Sequence, residues 1–410
     1  MTGVGIEAIN AYVGRAAVQV RDLFEQRGLS MSRFGNLMME QKSVNLPCED
    51  AVSNAVNAAA PLVRALDPKD RESIELLIVG TESGIDFGKP ISTYVHHALG
   101  LPNRCRSFEV KHACYGGTAA LQSAAAIVAG SRVPIRALVV AADAPSAAAR
   151  GSYWEPSEGA GAVAMLVSKN SKVLELDAGA SGYHTYEVMD TARPSADADV
   201  VDSDLSLLAY LDCLEHSVEA YCARVVGADI RTTFDHLVFH TPFAGMVKGA
   251  HRSLLRKRHR LSADAIEEDF ERRVAGSLDY GSRVGNLFSA ALYLALCSQI
   301  DRARPDTPRR LGLFSYGSGC ASEFFSGIVP AGASAVLARQ GIGAALDERY
   351  QLTVDEYDKL TEDTSGRAFG VRDAEFDPAA YEPVYADRFA GRGLLVLDRI
   401  RGFHREYRWT

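Results

Sequence analysis

The chain has no CxxC pair, although seven cysteines (Cys48, Cys105, Cys114, Cys213, Cys222, Cys297 and Cys320) are scattered along its 410 residues. No run of histidines accompanies them. An odd, dispersed set of thiols speaks against a disulfide framework and a zinc site, and for a reducing, cytoplasmic setting. No run approaches the ~18 apolar residues of a membrane span. The first residues, MTGVGIEAINAYVG, lack the basic head and apolar core of a signal peptide. Excess positive charge is missing too: 44 Lys and Arg face 52 Asp and Glu, and a net charge of −8 argues against nucleic acid as the partner. HExxH, GxSxG and P-loop patterns are absent. The Gly-rich strings GVGIEA and GIGAAL open no βαβ unit, so dinucleotide binding is rejected. No stretch has the low complexity of a tether.

What is present is an ordinary globular composition, 47% hydrophobic and 23% charged, at a length that fits two or three domains or one large duplicated fold. The most informative stretch is KHACYGGTAALQSAAAIVAG. It puts Cys114 between a β-like run, SFEV, and a helix of small residues that must be buried and closely packed. The free N–H groups and dipole of a helix start favour a thiolate, which predicts a nucleophile for thioester chemistry. A core cysteine acting as a small hydrophobe is the plain alternative.

Comparing the two halves of the chain adds more than single motifs do. An apolar strand runs into a polar loop twice: IELLIVGTESG carries Glu82, and FDHLVFHTPFAG carries His240. Small-residue helices follow, one from Cys114 and one, NLFSAALYLALCSQI, from Asn286. RALVVAADAPS then matches RRLGLFSYGSG, and the Gly-punctuated EGAGAVAMLV matches AGRGLLVLDRI. The expected architecture is a duplicated α/β fold with halves 1–170 and 171–410. Its two sheets should meet at a pseudo-twofold, with two buried helices between them aimed at a shared site. Segments 1–72 and 181–235 are expected to supply peripheral helices. Segment 330–388, rich in acidic and aromatic residues, is expected to form a surface excursion.

In these residues the chain resembles the thiolase superfamily and, within it, the 3-hydroxy-3-methylglutaryl synthases. The motifs are TESG (81–84), ACYGGTAA (113–120), EGAGAVAMLV, HTPF (240–243), GN (285–286) and SYGSG (315–319). The resemblance implies a five-layered αβαβα homodimer with no metal and no tightly bound cofactor. It also implies that Cys114 is acylated, that Glu82 is the general base and acid of a condensation, and that His240 polarises or protonates the acceptor. Asn286 would hydrogen-bond the acceptor, Gly317 and Ser318 would line an oxyanion hole, and Phe243 of HTPF would contact substrate. A type III ketoacyl synthase would also carry Cys114, His240 and Asn286, but it decarboxylates malonyl units and has no use for Glu82. An inactive scaffold subunit is the reading from another class, and it would have lost the nucleophile.

The family has coenzyme A enzymes and members that install β-branches on polyketides held by acyl carrier proteins. Two positions depart from the coenzyme A pattern: Gly245 replaces a lysine, and Ala147 replaces a tyrosine. The basic segment HRSLLRKRHR (251–260) departs from the acidic background and fits an acidic carrier protein. Arg33, Lys248, Arg252 and Arg256 are therefore expected to contact the pantetheine arm or the carrier. The expected partners are a donor acyl carrier protein and an acceptor carrier domain of a polyketide synthase, with phosphopantetheine, or coenzyme A, carrying the substrates. A hydroxymethylglutaryl-coenzyme A synthase is the alternative.

Overall fold

Strands that are apolar at every position need cover on both faces, and that requirement organises this chain. The computed structural model describes residues 3–145, 149–195, 198–365 and 369–410. Its main sheet has nine strands: β1 (Gly5–Tyr12), β2 (Ile74–Gly80), β3 (Arg106–Val110), β4 (Arg136–Asp143), β5 (Gly161–Ser168), β6 (Leu174–Thr185), β7 (His236–Phe239), β8 (Arg309–Gly317) and β9 (Ala321–Val329). Their order is β7-β8-β9-β6-β1-β5-β4-β2-β3.

The duplication shows in the pairing. β2 runs parallel to β4, which is antiparallel to β5, which is antiparallel to β1. β7, β8, β9 and β6 repeat that order and sense. The expected two sheets are one ladder, because β1 and β6 join through Gly5↔Glu175 and Ile6↔Leu174.

Two expectations need correction. The partner of EGAGAVAMLV is β9, not AGRGLLVLDRI, whose residues Leu395–Arg401 form a hairpin with His404–Trp409 in a separate small sheet. Both candidates are apolar runs, and β9 is disguised by Ser322, Glu323 and Ser326, polar residues that only the folded core buries. Segment 1–72 is not peripheral either. It supplies β1, central to the sheet, and a buried helix, α1 (Ala51–Arg64).

Period-two burial sorts each strand into two cores. Leu77, Val79, Leu138 and Val140 face α1, whereas Leu76, Ile78, Ala137 and Val139 face α2 (Gly116–Gly130). In the second half, Leu311, Leu313 and Phe325 join that same inner core with α5 (Ala291–Ala303). Phe239, Phe314 and Phe324 turn outward to α3 (Ser203–Arg224) and α4 (Ala244–His259). The layers are therefore helix, half-sheet, the paired helices α2 and α5, half-sheet, helix. Thr118 and Tyr293 tie the central pair by a 2.8 Å hydroxyl contact. Segment 330–388 returns to the first half: Tyr350–Leu352 pairs with Ala16–Gln19, and Tyr357, Leu360 and Tyr385 join the core around α1.

Candidate active site

The nucleophile loop is built by a sharp turn. Ala113 has φ of 41°, a left-handed conformation that L-residues avoid, and it swings the chain from β3 toward α2. Tyr115 is the N-cap of α2, so Cys114 lies just ahead of the helix. The loop is pressed against the other half at Gly317, where a Cβ would lie 2.6 Å from the His112 carbonyl oxygen. Only glycine fits that contact. Cys114 Sγ donates to Glu82 Oε2 at 3.6 Å, and the Asn286 amide also faces the thiol. Asn286 itself is locked: its N–H donates to the Ser157 carbonyl at 2.7 Å, and its Oδ1 accepts from Phe288 N–H at 2.8 Å.

The electrostatics reverse one expectation. Burial, reinforced by Glu82 and Asp143, pushes the Cys114 thiol well above its ordinary pKa. A helix terminus contributes only about 0.3–1 kcal/mol, too little to oppose burial beside two carboxylates. Glu82 rises to about 8, chiefly through burial and secondarily through Asp143, with Arg193 opposing. The thiol is therefore a thiol at rest, next to a carboxyl group able to take its proton as the sulfur attacks.

Asp143, at the end of β4, was not singled out in the sequence. It accepts from Thr81 Oγ1 at 2.9 Å, from the N–H groups of Glu82 and Ser83 at 2.8 and 3.1 Å, and from Ser289 N and Oγ at 3.0 and 2.5 Å. One buried carboxylate thus fixes the Glu82 loop to the turn that follows Asn286. A charge closing the apolar run RALVVAAD was the available signal. Arg193 was also missed. Its Nη2 lies 3.8 Å from Glu82 and its Nε 2.7 Å from Asp199, a juxtaposition that no local pattern announces. A cavity of about 150 Å³ opens from Glu82 and Ser83 and is bordered by Lys42, Asn45, Glu158 and Arg193.

His240 ends β7 with its N–H on the Phe314 carbonyl at 2.7 Å, and its own carbonyl accepts from Tyr210 Oη at 2.7 Å. Its ring is buried near Tyr210 and Tyr316, and Nδ1 has no partner. Burial lowers its pKa to about 3, so the imidazole is neutral. Among the described residues no hydrogen bond joins His240 to Cys114 or Glu82. The Gly317–Ser318 turn is anchored by Asp190, which accepts from Tyr316 Oη at 2.9 Å and Gly319 N at 3.0 Å.

The cations expected to grip a carrier divide. Arg33, on the helix Met31–Leu37, is exposed and stacks over Tyr153 at 4.8 Å. Arg252 and Arg256 are exposed one turn apart on α4, with no ion pair among the described residues. Lys248 is not free: it pairs with Glu267 and lies over Phe270. Within 251–260, His251 is buried on Asp269 and Lys257 pairs with Glu215. Phe243 packs against the Val20, Phe24 and Met39 cluster, which Phe34 and Leu37 also cover, as well as against the α4 core. A Cβ at Gly245 would lie 1.7 Å from the Asn36 carbonyl oxygen. The Met31–Leu37 helix therefore occupies the room a lysine at 245 would need. Ala147 lies outside the described residues.

Among the described residues no disulfide joins any of the seven cysteines, and no helix is long and apolar enough to cross a membrane. His184, Asp212 and His216 do come together, with ligand atoms within 4.8 Å, a cluster that sequence spacing concealed.

The description of hydroxymethylglutaryl-coenzyme A synthase matches the chain in two parts, the N-terminal portion over residues 1–172 and the C-terminal portion over 250–382. The chain belongs to that family. Like its relatives it is a condensing acyltransferase of thiolase fold. It is 47% identical, over the whole of both chains, to the polyketide biosynthesis 3-hydroxy-3-methylglutaryl-ACP synthase PksG of Bacillus subtilis. The solved HMG synthase of the curacin biosynthetic pathway is 49% identical, with a TM-score of 0.96 and complete coverage of both chains. The hydroxymethylglutaryl-CoA synthase of Enterococcus faecalis is further away, at 36% identity over 88% of this chain and 92% of its own.

Proposed function

We propose that this synthase acts on polyketides, installing a β-branch with acetyl and acceptor groups delivered by acyl carrier proteins. The acetyl thioester of a donor carrier exchanges with Cys114, and the leaving pantetheine thiol takes up the proton that the cysteine gave to Glu82. Glu82 then removes a proton from the methyl of acetyl-Cys114. The carbanion attacks the β-ketone of the carrier-bound acceptor, forming a carbon–carbon bond and an alkoxide. Glu82 returns that proton to the oxygen, which His240 holds by a hydrogen bond. Water finally cleaves the thioester at Cys114, freeing the thiol and leaving a carboxymethyl arm beside the new hydroxyl.

Each residue's part follows from its surroundings. A carboxyl group with a pKa near 8 is matched to exchanging protons near neutrality. The neutral imidazole of His240 donates a hydrogen bond to the acceptor carbonyl without carrying charge into a dry site. The Asn286 amide would orient the sulfur and the acceptor oxygen, and backbone N–H groups at Gly317 and Ser318 would stabilise the thioester oxygen. Arg33, Arg252 and Arg256 offer unpaired positive charge to an acidic carrier. We further read the protein as a homodimer, and as cytoplasmic, in keeping with cysteines that form no disulfide.

The observation that carries the reading is the ordering of similarity. Full-length identity of 47% to an ACP synthase exceeds 36% to a coenzyme A synthase, and three solved complexes of the 49% identical curacin enzyme contain its donor ACP. The packing of Asn36 against Gly245 supports it, since it leaves no space for a lysine at that position. The test is to offer acetyl-loaded donor carrier and acetyl-coenzyme A separately and to follow acetyl-Cys114 by mass spectrometry. Rapid loading from the carrier is expected. Loading from coenzyme A alone would return the protein to the mevalonate-type reaction.

A further inference from the structure

We propose that the cavity beside Glu82 receives the far end of the acceptor's acyl chain and that Asn45 hydrogen-bonds a hydroxyl carried on that chain. This rests on the reading of the protein as a carrier-dependent synthase. The cavity, about 150 Å³, opens from Glu82, Ser83 and Gly84 but is not lined by Cys114, His240 or Asn286. It is therefore separate from the reacting atoms and continues outward from the base. A β-ketone has two substituents. One leads back through the thioester to the pantetheine arm, and the other must find space on the opposite side of the carbonyl carbon. The methyl group of an acetoacetyl acceptor needs almost none. A longer chain needs a recess, and this one begins at the residue that touches the acetyl nucleophile.

The lining says what sort of chain. Val44, Ile85 and Leu397 give it apolar walls. Asn45 borders it, is 7% exposed, and has no partner for either Nδ2 or Oδ1. Buried amides are normally satisfied, so an unmet donor and an unmet acceptor on one side chain point to a ligand group that supplies both. A hydroxyl does so, accepting from Nδ2 and donating to Oδ1. A ketone oxygen would satisfy only the donor, and a hydrocarbon neither. Glu158, 8% exposed, also borders the cavity with Oε2 unpartnered. It is a second group able to accept from a hydroxyl. Burial raises that carboxyl to about 7, and Lys42 and Arg193, which border the same cavity, oppose the rise.

The experiment compares β-ketoacyl pantetheine thioesters of equal chain length, one hydroxylated beyond the ketone and one not, with acetoacetyl thioester as the short reference. The wild-type enzyme should favour the hydroxylated chain in kcat/KM. Asn45→Leu should reduce that preference by about tenfold or more, the size expected when a buried polar contact to substrate is lost. A preference that does not change, whatever happens to the overall rate, overturns the proposal and leaves the cavity to solvent. Ile85→Trp provides a second measure that does not depend on the fate of the Asn45 variant. It should raise KM for both long chains relative to acetoacetyl, and an equal effect on all three counts against the cavity as a chain subsite. Acetyl transfer from donor carrier to Cys114 is followed on the same samples. Its failure would sink the parent reading, whereas intact loading with an unchanged preference sinks only this one.

Discussion

Glu82 and His240 close equivalent strands of the two halves, β2 and β7, yet their surroundings are opposites. Around Glu82 stand Asp143, Glu158, Arg193 and a thiol, so its proton affinity is set by charge as well as burial. Around His240 stand the rings of Tyr210 and Tyr316, and burial alone acts on it. One site holds a proton near neutrality that an exposed carboxyl would have lost; the other refuses a proton that an exposed imidazole would share. Duplication supplied two equivalent strand ends, and the packed neighbours made one a carboxyl that keeps its proton near neutrality and the other a neutral imidazole.

The contrast breaks most completely at the sulfur. Cys114→Ala should abolish acetyl loading while leaving the thermal midpoint nearly unmoved, as measured by intact-protein mass spectrometry and calorimetry. Next in size, Glu82→Gln should slow condensation by about 10³-fold, within the usual range for a lost acid–base group. Acetyl loading should slow as well, because the same carboxyl takes the Cys114 proton, and intact-protein mass spectrometry measures that part separately.

A pH series sharpens the comparison further. With Glu82 near 8, the condensation rate should climb through that pH as the base ionises, and His240 should add no inflection between pH 5 and 9 because it titrates near 3. Arg193→Gln should move the limb upward and Asp143→Asn downward. Stability follows the same shifts with opposite signs. The native state binds the Glu82 proton more tightly than the ordinary 4.5, so that contribution is complete below 4.5 and fades as pH rises through about 8. For His240 the native pKa lies below the ordinary 6.5, so its contribution is complete above 6.5 and is lost as pH falls toward 3. Glu82→Gln should flatten the alkaline fall in Tm, and His240→Gln the acid fall.

Smaller effects belong to the carrier side and the histidine's support. Gly245→Lys should cost about 1–3 kcal/mol, as overpacking does. It should also displace the Met31–Leu37 helix, which a raised KM for donor carrier would report. Tyr210→Phe removes the bond to the His240 carbonyl and should cost about 1 kcal/mol in urea unfolding.

Much of the site was legible because its residues sit at recurrent places: after an apolar strand for Glu82 and His240, and at the heads of small-residue helices for Cys114 and Asn286. Asp143 and Arg193 escaped notice because their value lies in what they touch. The failed match of AGRGLLVLDRI has the same origin, since an isolated apolar hairpin and a core strand look alike in composition. Lys248 shows the reverse case, a cation whose ion pair with Glu267 no local pattern announces.

By itself the order of residues determined the duplicated α/β plan, the buried central helices and the place of Cys114 at a strand-to-helix junction, because burial periodicity and such junctions are local properties. Tertiary structure alone decided that the thiol rests protonated, that Glu82 titrates late, and which cations remain free for a partner. Those outcomes depend on desolvation and on charges brought together from distant segments, and neither quantity exists until the chain has closed around them.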